Sequence, residues 1–122
     1  DEASERAHNL QGENMRTGYD LGWRDANDGG WIAYTMRVHP KQPCKLVVKY
    51  WGSDGGNRRF DIIIDGVKIA TEHVNYNHPN EYYEVNYPIP AHLTKGKQSV
   101  VARLQALPNN TCGGIFGIRT TR

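Results

Sequence analysis

From Trp31 onward, apolar residues recur at every second position in short runs, and each run is stopped by Gly, Pro, Asn or Asp. A period of two suits half-buried strands and does not suit helices. Ile32, Tyr34, Met36 and Val38 fall on one face, with Ala33, Thr35 and Arg37 on the other. In Lys45 to Trp51, the residues Leu46, Val48 and Tyr50 point one way. Phe60, Ile62 and Ile64 form a third run, and Asp65-Gly66 is a hairpin signal that returns the chain through Val67, Ile69 and Thr71. Tyr83, Val85 and Tyr87 give a fifth strand, ended by Pro88 and Pro90, and His92 to Gly96 reads as a turn. Val100, Ala102, Leu104 and Ala106 make a sixth. In the seventh, Phe116 and Ile118 share a face opposite Ile115 and Arg119.

Seven short strands and no convincing helix predict an all-β, two-sheet sandwich, with a jelly roll as the preferred topology. The 122 residues suit a single domain over 1–122. Its first part, about 1–29, is polar and reads as irregular, and regular strands run over about 30–121.

The charge balance narrows the partners. Fifteen Lys and Arg against thirteen Asp and Glu leave a formal net charge of +2, with no block of like charge. A nucleic-acid-binding domain usually carries a concentrated basic patch, so nucleic acid is not the expected partner. No apolar run reaches the length of a membrane-spanning helix, so no membrane partner is expected either. The isolated domain is expected to be a monomer.

The usual signatures of catalysis are missing: the sequence has no GxSxG, HExxH or phosphate loop. The five His are scattered, and Cys44 and Cys112 stand in neither a CxxC nor a zinc spacing. Two buried thiols or one disulfide both fit the sequence. No cofactor is expected. Calcium is the one metal with a candidate segment, Asp25-Ala26-Asn27-Asp28-Gly29, which reads first as an Asx-rich turn entering the first strand.

The aromatic content is more informative, at 3 Trp and 7 Tyr against 2 Phe. Tyr and Trp combine an apolar body with a polar tip, which suits stacking on the C–H face of a sugar. Tyr34, Tyr50, Tyr83 and Tyr87 are in phase with core aliphatics and read as core. Trp23 and Trp31 flank the irregular segment and read as seals for one end of the fold. Trp51 is out of phase, at a strand end, beside the loop Asp54 to Asn57. Tyr76 and His78 lie in a second loop, and Asn109 and Asn110 in a third. If these loops share one end of the sandwich, Trp51 and Tyr76 would stack on sugar rings, while Asp54, Asn57 and Asn110 would bond hydroxyls. No catalytic and no metal-ligating residue is assigned.

Several segments look familiar. Gly30 to Val38, Tyr50-Trp51-Gly52 through Arg58, Phe60 to Gly66, Leu93-Thr94-Lys95-Gly96 and Gly113 to Arg119 resemble galactose-binding-like jelly rolls and the family 6 and family 35 carbohydrate-binding modules. Asn9 to Asn14, Arg16-Thr17-Gly18-Tyr19, Trp23 to Ala26 and Pro88-Ile89-Pro90 resemble the C-terminal β-sandwich of bacterial glycoside hydrolases of the family 127 (β-L-arabinofuranosidase-like) group, often from gut Bacteroidetes. The resemblance implies a non-catalytic accessory domain of a secreted or periplasmic bacterial enzyme that degrades polysaccharide. Its partner would be a glycan or the parent catalytic domain. The parent's catalytic Cys and carboxylates have no counterpart here. The alternative is a purely structural domain, with Trp51 packed against the catalytic domain and no sugar site of its own.

Overall fold

A computed structural model describes residues 11–17 and 24–122. The described residues form eight strands: β1 (Gln11–Thr17), β2 (Arg24–Arg37), β3 (Cys44–Trp51), β4 (Arg59–Ile64), β5 (Val67–His73), β6 (Tyr82–Ile89), β7 (Ser99–Ala106) and β8 (Cys112–Thr121). A four-residue helix, α1 (Ala91–Thr94), joins β6 to β7 where the sequence reads as a turn. Among the described residues no helix is long and apolar enough to cross a membrane.

The strands hydrogen-bond in the order β5-β4-β7-β2-β8-β3-β6, and β1 also pairs with β2. Every pairing is antiparallel. The path folds over at β2. Its second half, Trp31–Arg37, pairs with β7, while Arg24, Asp25 and Ala26 pair with β8. Between these halves Gly29 takes φ +75, a left-handed conformation that a residue with a Cβ rarely adopts. The result is a two-layer antiparallel sandwich of the jelly-roll type, with β5, β4 and β7 in one layer, β8, β3 and β6 in the other, and β2 common to both.

The in-phase residues fill the space between the layers. Ile32, Tyr34 and Met36 of β2, Phe60, Ile62 and Ile64 of β4, and Ala102 and Leu104 of β7 meet Leu46, Val48 and Tyr50 of β3 and Tyr87 of β6. Each fully buried Ile, Leu or Phe stabilises the fold by about 1.5–3 kcal/mol relative to exposure.

Four expectations need correction. The segment read as irregular over about 1–29 is strand at Gln11–Thr17 and from Arg24 to Gly30. Asp25 to Gly29 is therefore part of a strand and not an Asx-rich turn, while Trp23 lies outside the described residues. Pro88 does not end the fifth expected strand but pairs with Lys45 inside β6. It is tolerated because β6 is an edge strand, where a missing N–H costs no ladder bond. Finally, Phe116 and Ile118 do not share a face. The ladder pairs Lys49 with Gly117 and Tyr50 with Ile115, leaving Phe116 as the extra residue of a bulge. Ile115 and Ile118 both pack on the core, and Phe116 turns outward.

Cys44 and Cys112 are both buried and form no disulfide. Cys44 opens β3 beside the end of β8, since its neighbour Lys45 pairs with Thr121, whereas Cys112 begins β8. At about 3.3 Å per residue this separates them by roughly 25–30 Å, far beyond the roughly 7 Å Cα limit of a disulfide.

Asp65 and Gly66 both take positive φ, as a two-residue hairpin turn requires. The Asp65 carboxylate accepts from Val101 N at 2.7 Å and from Lys97 Nζ at 2.7 Å, tying the β4–β5 hairpin to β7. Asp65→Ala is expected to lose about 1–2 kcal/mol in urea unfolding, and Asp65→Asn about half of that, because Asn keeps an acceptor and tolerates the left-handed backbone.

Candidate functional site

Three loops meet at the end of the sandwich where β3 stops. Gly52 N donates to Glu81 O at 2.7 Å and His78 N donates to Gly52 O at 3.3 Å, which fixes the 75–81 loop on the strand end. Tyr76 N donates to Asp54 O at 2.8 Å, and Thr111 N donates to Asn57 O at 2.6 Å. The 52–58 loop thus lies between the other two and bonds to both. At Gly52 no side chain fits, since an added Cβ would stand 1.7 Å from His78 O.

Tyr76 is the most exposed large apolar residue among those described, at 61%. Its ring is nevertheless held, because it covers Gly55, where an added Cβ would stand 2.5 Å from the ring. Its φ is +52, a conformation uncommon outside Gly, Asn and Asp. An aromatic residue kept in a costly backbone state, braced on a glycine and open to solvent, is a feature that packing alone does not account for.

The other expected site residues fall around it. Asp54 is half-buried and Asn57 is exposed. Asn110 is half-buried and already engaged, its Oδ1 accepting from Arg59 N at 3.2 Å and its Nδ2 donating to Pro108 O at 2.9 Å. Those bonds make Asn110 a clasp between the loop and β4. Arg58 Nε donates to Gly55 O at 2.9 Å and supports the glycine beneath Tyr76. Neither Arg58 nor Gly55 carries a sequence signal beyond the Gly-rich turn itself.

Trp51 faces outward at the end of β3, where its carbonyl accepts from Asp54 N at 3.1 Å. It is half-buried on the outer face of β3, and its ring meets Tyr82 at 4.8 Å between centroids. Tyr82, 52% exposed, also meets Phe116 at 5.1 Å, and Lys49 Nζ stands 4.7 Å from its centroid. Alternation along β6 puts Tyr82 opposite the core-facing Tyr83. Its partner Phe116 reads as inward until the bulge in β8 is known. Trp31, expected to seal an end of the fold, lies half-buried with the Arg103 guanidinium 4.2 Å from its ring centroid.

Between the layers lies a chain of polar groups. The Tyr50 and Tyr87 hydroxyls are 2.7 Å apart, and the Tyr87 hydroxyl donates to Glu72 Oε1 at 2.6 Å. Burial raises both phenols well above the ordinary tyrosine range. At Tyr83 burial again raises the phenol, opposed by a hydrogen bond with Asn77. Among the described residues, no three His, Cys, Asp or Glu side chains gather as a metal site would require.

The model of a family of unknown function, DUF6805, matches residues 2–121. The chain belongs to DUF6805. A comparison with curated proteins finds no match. Among solved structures, this DUF6805 chain is similar to a family 35 carbohydrate-binding module from Clostridium thermocellum, with a TM-score of 0.69 at 14% identity, covering 91% of this chain and 90% of that one. It is also similar to a family 35 module in complex with a glucuronic acid containing disaccharide, with a TM-score of 0.58 at 12% identity, covering 87% and 76%. A third is an exo-beta-1,3-galactanase from Phanerochaete chrysosporium with beta-1,3-galactotriose, with a TM-score of 0.62 at 10% identity, covering 93% of this chain and 27% of the enzyme. At these identities the likeness establishes the fold: this DUF6805 chain is built as a family 35-type jelly roll.

Proposed function

We propose that this chain is a non-catalytic, carbohydrate-binding domain, a single unit over 1–122 that accompanies a secreted or periplasmic bacterial glycoside hydrolase. The observation that carries the reading is Tyr76, strained, seated on Gly55 and 61% exposed at the meeting point of three loops. A saccharide ring stacks on its open face. Asp54 and Asn57 bond hydroxyls, and Asn110 holds the third loop in register.

Other lines support this without being its basis. The fold is shared with modules whose partners are glycans, and in the galactanase a similar domain accounts for about a quarter of the chain. The resemblance of Asn9 to Asn14 and Trp23 to Ala26 to family 127-like enzymes directs this reading to a parent acting on arabinan or pectic material.

Calorimetric titration with arabinan and pectic oligosaccharides tests the reading. The intact domain is expected to release heat with at least one of them. Tyr76→Ala is expected to weaken that binding at least about tenfold, the scale of losing one well-packed aromatic contact. Absence of heat with every glycan, or a Tyr76→Ala variant that binds as well as the parent, rejects it.

A further inference from the structure

The end of the sandwich opposite Tyr76 gathers positive charge that no single stretch of the sequence displays. There β2, β4, β6 and β8 finish, and β3, β5 and β7 begin. The segments that close this end, 37–45, 64–68, 89–99 and 120–122, carry seven Lys or Arg and a single carboxylate side chain, Asp65. The rest of the chain carries eight Lys or Arg against twelve Asp or Glu, so the formal +2 hides a separation of charge. Asp65 is already bonded to Lys97 at 2.7 Å, and the other six cations form no ion pair among the described residues. Amid this charge lies a groove of about 510 Å³ between the β2–β3 loop and α1. Pro40 and Pro43 come from the loop, Ala91 and His92 from the helix, and Lys41 and Lys95, both exposed, line it too. The walls are set in advance. Gly96 N donates to Pro40 O at 3.3 Å, Lys41 N to His39 Nδ1 at 3.0 Å and Lys95 N to Ala91 O at 3.0 Å. Each proline also fixes its own φ.

We propose that this end is a protein-docking surface for an acidic peptide segment. One apolar side chain of the segment seats in the groove on Pro40, Pro43 and Ala91, and carboxylates on either side of it meet Lys41 and Lys95. The excess of cations selects an anionic partner, steers its approach and repels a basic one. The groove decides which kind of anion. Its apolar surface is recessed and its size is that of pockets that enclose a ligand, so it suits a compact apolar group flanked by charge. A peptide supplies that combination. Nucleic acids and acidic polysaccharides repeat their charge along the chain and have no apolar side chain to insert. Because the walls are preformed, little ordering is left to oppose binding. The eight residues of β3 separate this end from the Tyr76 loops by roughly 25 Å, so an occupant here leaves the loop end open. Docking here is independent of whether Tyr76 binds a glycan.

The test titrates two synthetic peptides into the isotope-labelled chain at about 0.15 M salt, where exposed charges more than about 8 Å apart are largely screened. Both peptides are runs of Asp and Glu, one around a central phenylalanine and the other around a central serine. The phenylalanine peptide is expected to shift the amide resonances of Lys41, Ala91, His92 and Lys95, and the serine peptide to bind about tenfold more weakly. Replacing both lysines, Lys41→Glu with Lys95→Glu, is expected to abolish the shifts with either peptide. Ala91→Trp, which fills the groove, is expected to reduce the phenylalanine peptide to the level of the serine one. If the tryptophan variant does not fold, the exposed lysine pair carries the test. Equal binding of the two peptides overturns the proposal, as do shifts confined to the Tyr76 loop or unchanged binding in the lysine variant. Polygalacturonate and phosphatidylglycerol vesicles are titrated in parallel. A response of these same resonances to either of them, with none to the phenylalanine peptide, also overturns it. If glycans fail at Tyr76 while this end responds, only the loop-end reading is rejected.

Discussion

Gly52→Ala is expected to lose more than about 3 kcal/mol of stability and to abolish any ligand contact at Tyr76. The added methyl would stand 1.7 Å from His78 O and 2.6 Å from Glu81 O, and both obstacles are main chain that no rotamer change can move. Overpacking against backbone belongs among the large single-residue effects. The two hydrogen bonds that fix the 75–81 loop to the end of β3 run through Gly52, so the methyl displaces the loop that carries Tyr76. Gly56→Ala is the control. Gly56 takes φ +78 with open space around it, so its replacement strains the backbone by about 1 kcal/mol and displaces nothing. Urea midpoints of the two variants, read beside glycan titrations, check the contrast. Similar midpoints for both would mean that Gly52 is not the clasp.

The second large effect is alkaline. Burial raises the Tyr50 and Tyr87 phenols in the folded chain well above about 10, the value both return to on unfolding. A raised folded pKa favours the protonated form, so this stability is fully present below pH 10 and is lost as pH rises above it. The loss is about 1.4 kcal/mol per pH unit for each phenol. Absorbance at 295 nm should therefore rise in two stages, with the last tyrosines ionising only as the β-sheet circular dichroism collapses. Tyr87→Phe removes the hydroxyl between Tyr50 and Glu72, leaves the buried Tyr50 hydroxyl without that bond, and should cost about 1–3 kcal/mol at neutral pH. Ionisation of every tyrosine while the sheet signal is intact would contradict this account.

The inward faces of β3, β4 and β7 were legible because alternation and burial coincide there. Leu46, Val48 and Tyr50, Phe60, Ile62 and Ile64, and Ala102 and Leu104 are all in the core. The pattern failed where pairing, and not burial, makes the strand. Arg24 to Gly30 shows no apolar period, yet it is a strand because β1 and β8 flank it; β1 lacks an apolar period of its own, and β8 is distant in sequence. It failed again at Phe116, since a bulge is a property of two strands and one strand's sequence does not reveal it. The outward position of Trp51 could be read from its phase. That it would meet Tyr82 could not, because the contact depends on the β3–β6 register. The loop-end residues were legible as turns. The bracing of Tyr76 by Gly55 was not, because it requires the two loops to meet.

The sharing of β2 between both layers gives the sandwich a bound spine on one side, like a book. The opposite side, the fore-edge, is where β5 and β6 end the hydrogen-bonded path. There the Tyr87–Glu72 contact latches the two covers together. Any breathing of the fold pivots on the spine and gapes at that latch, letting water first reach the two buried phenols.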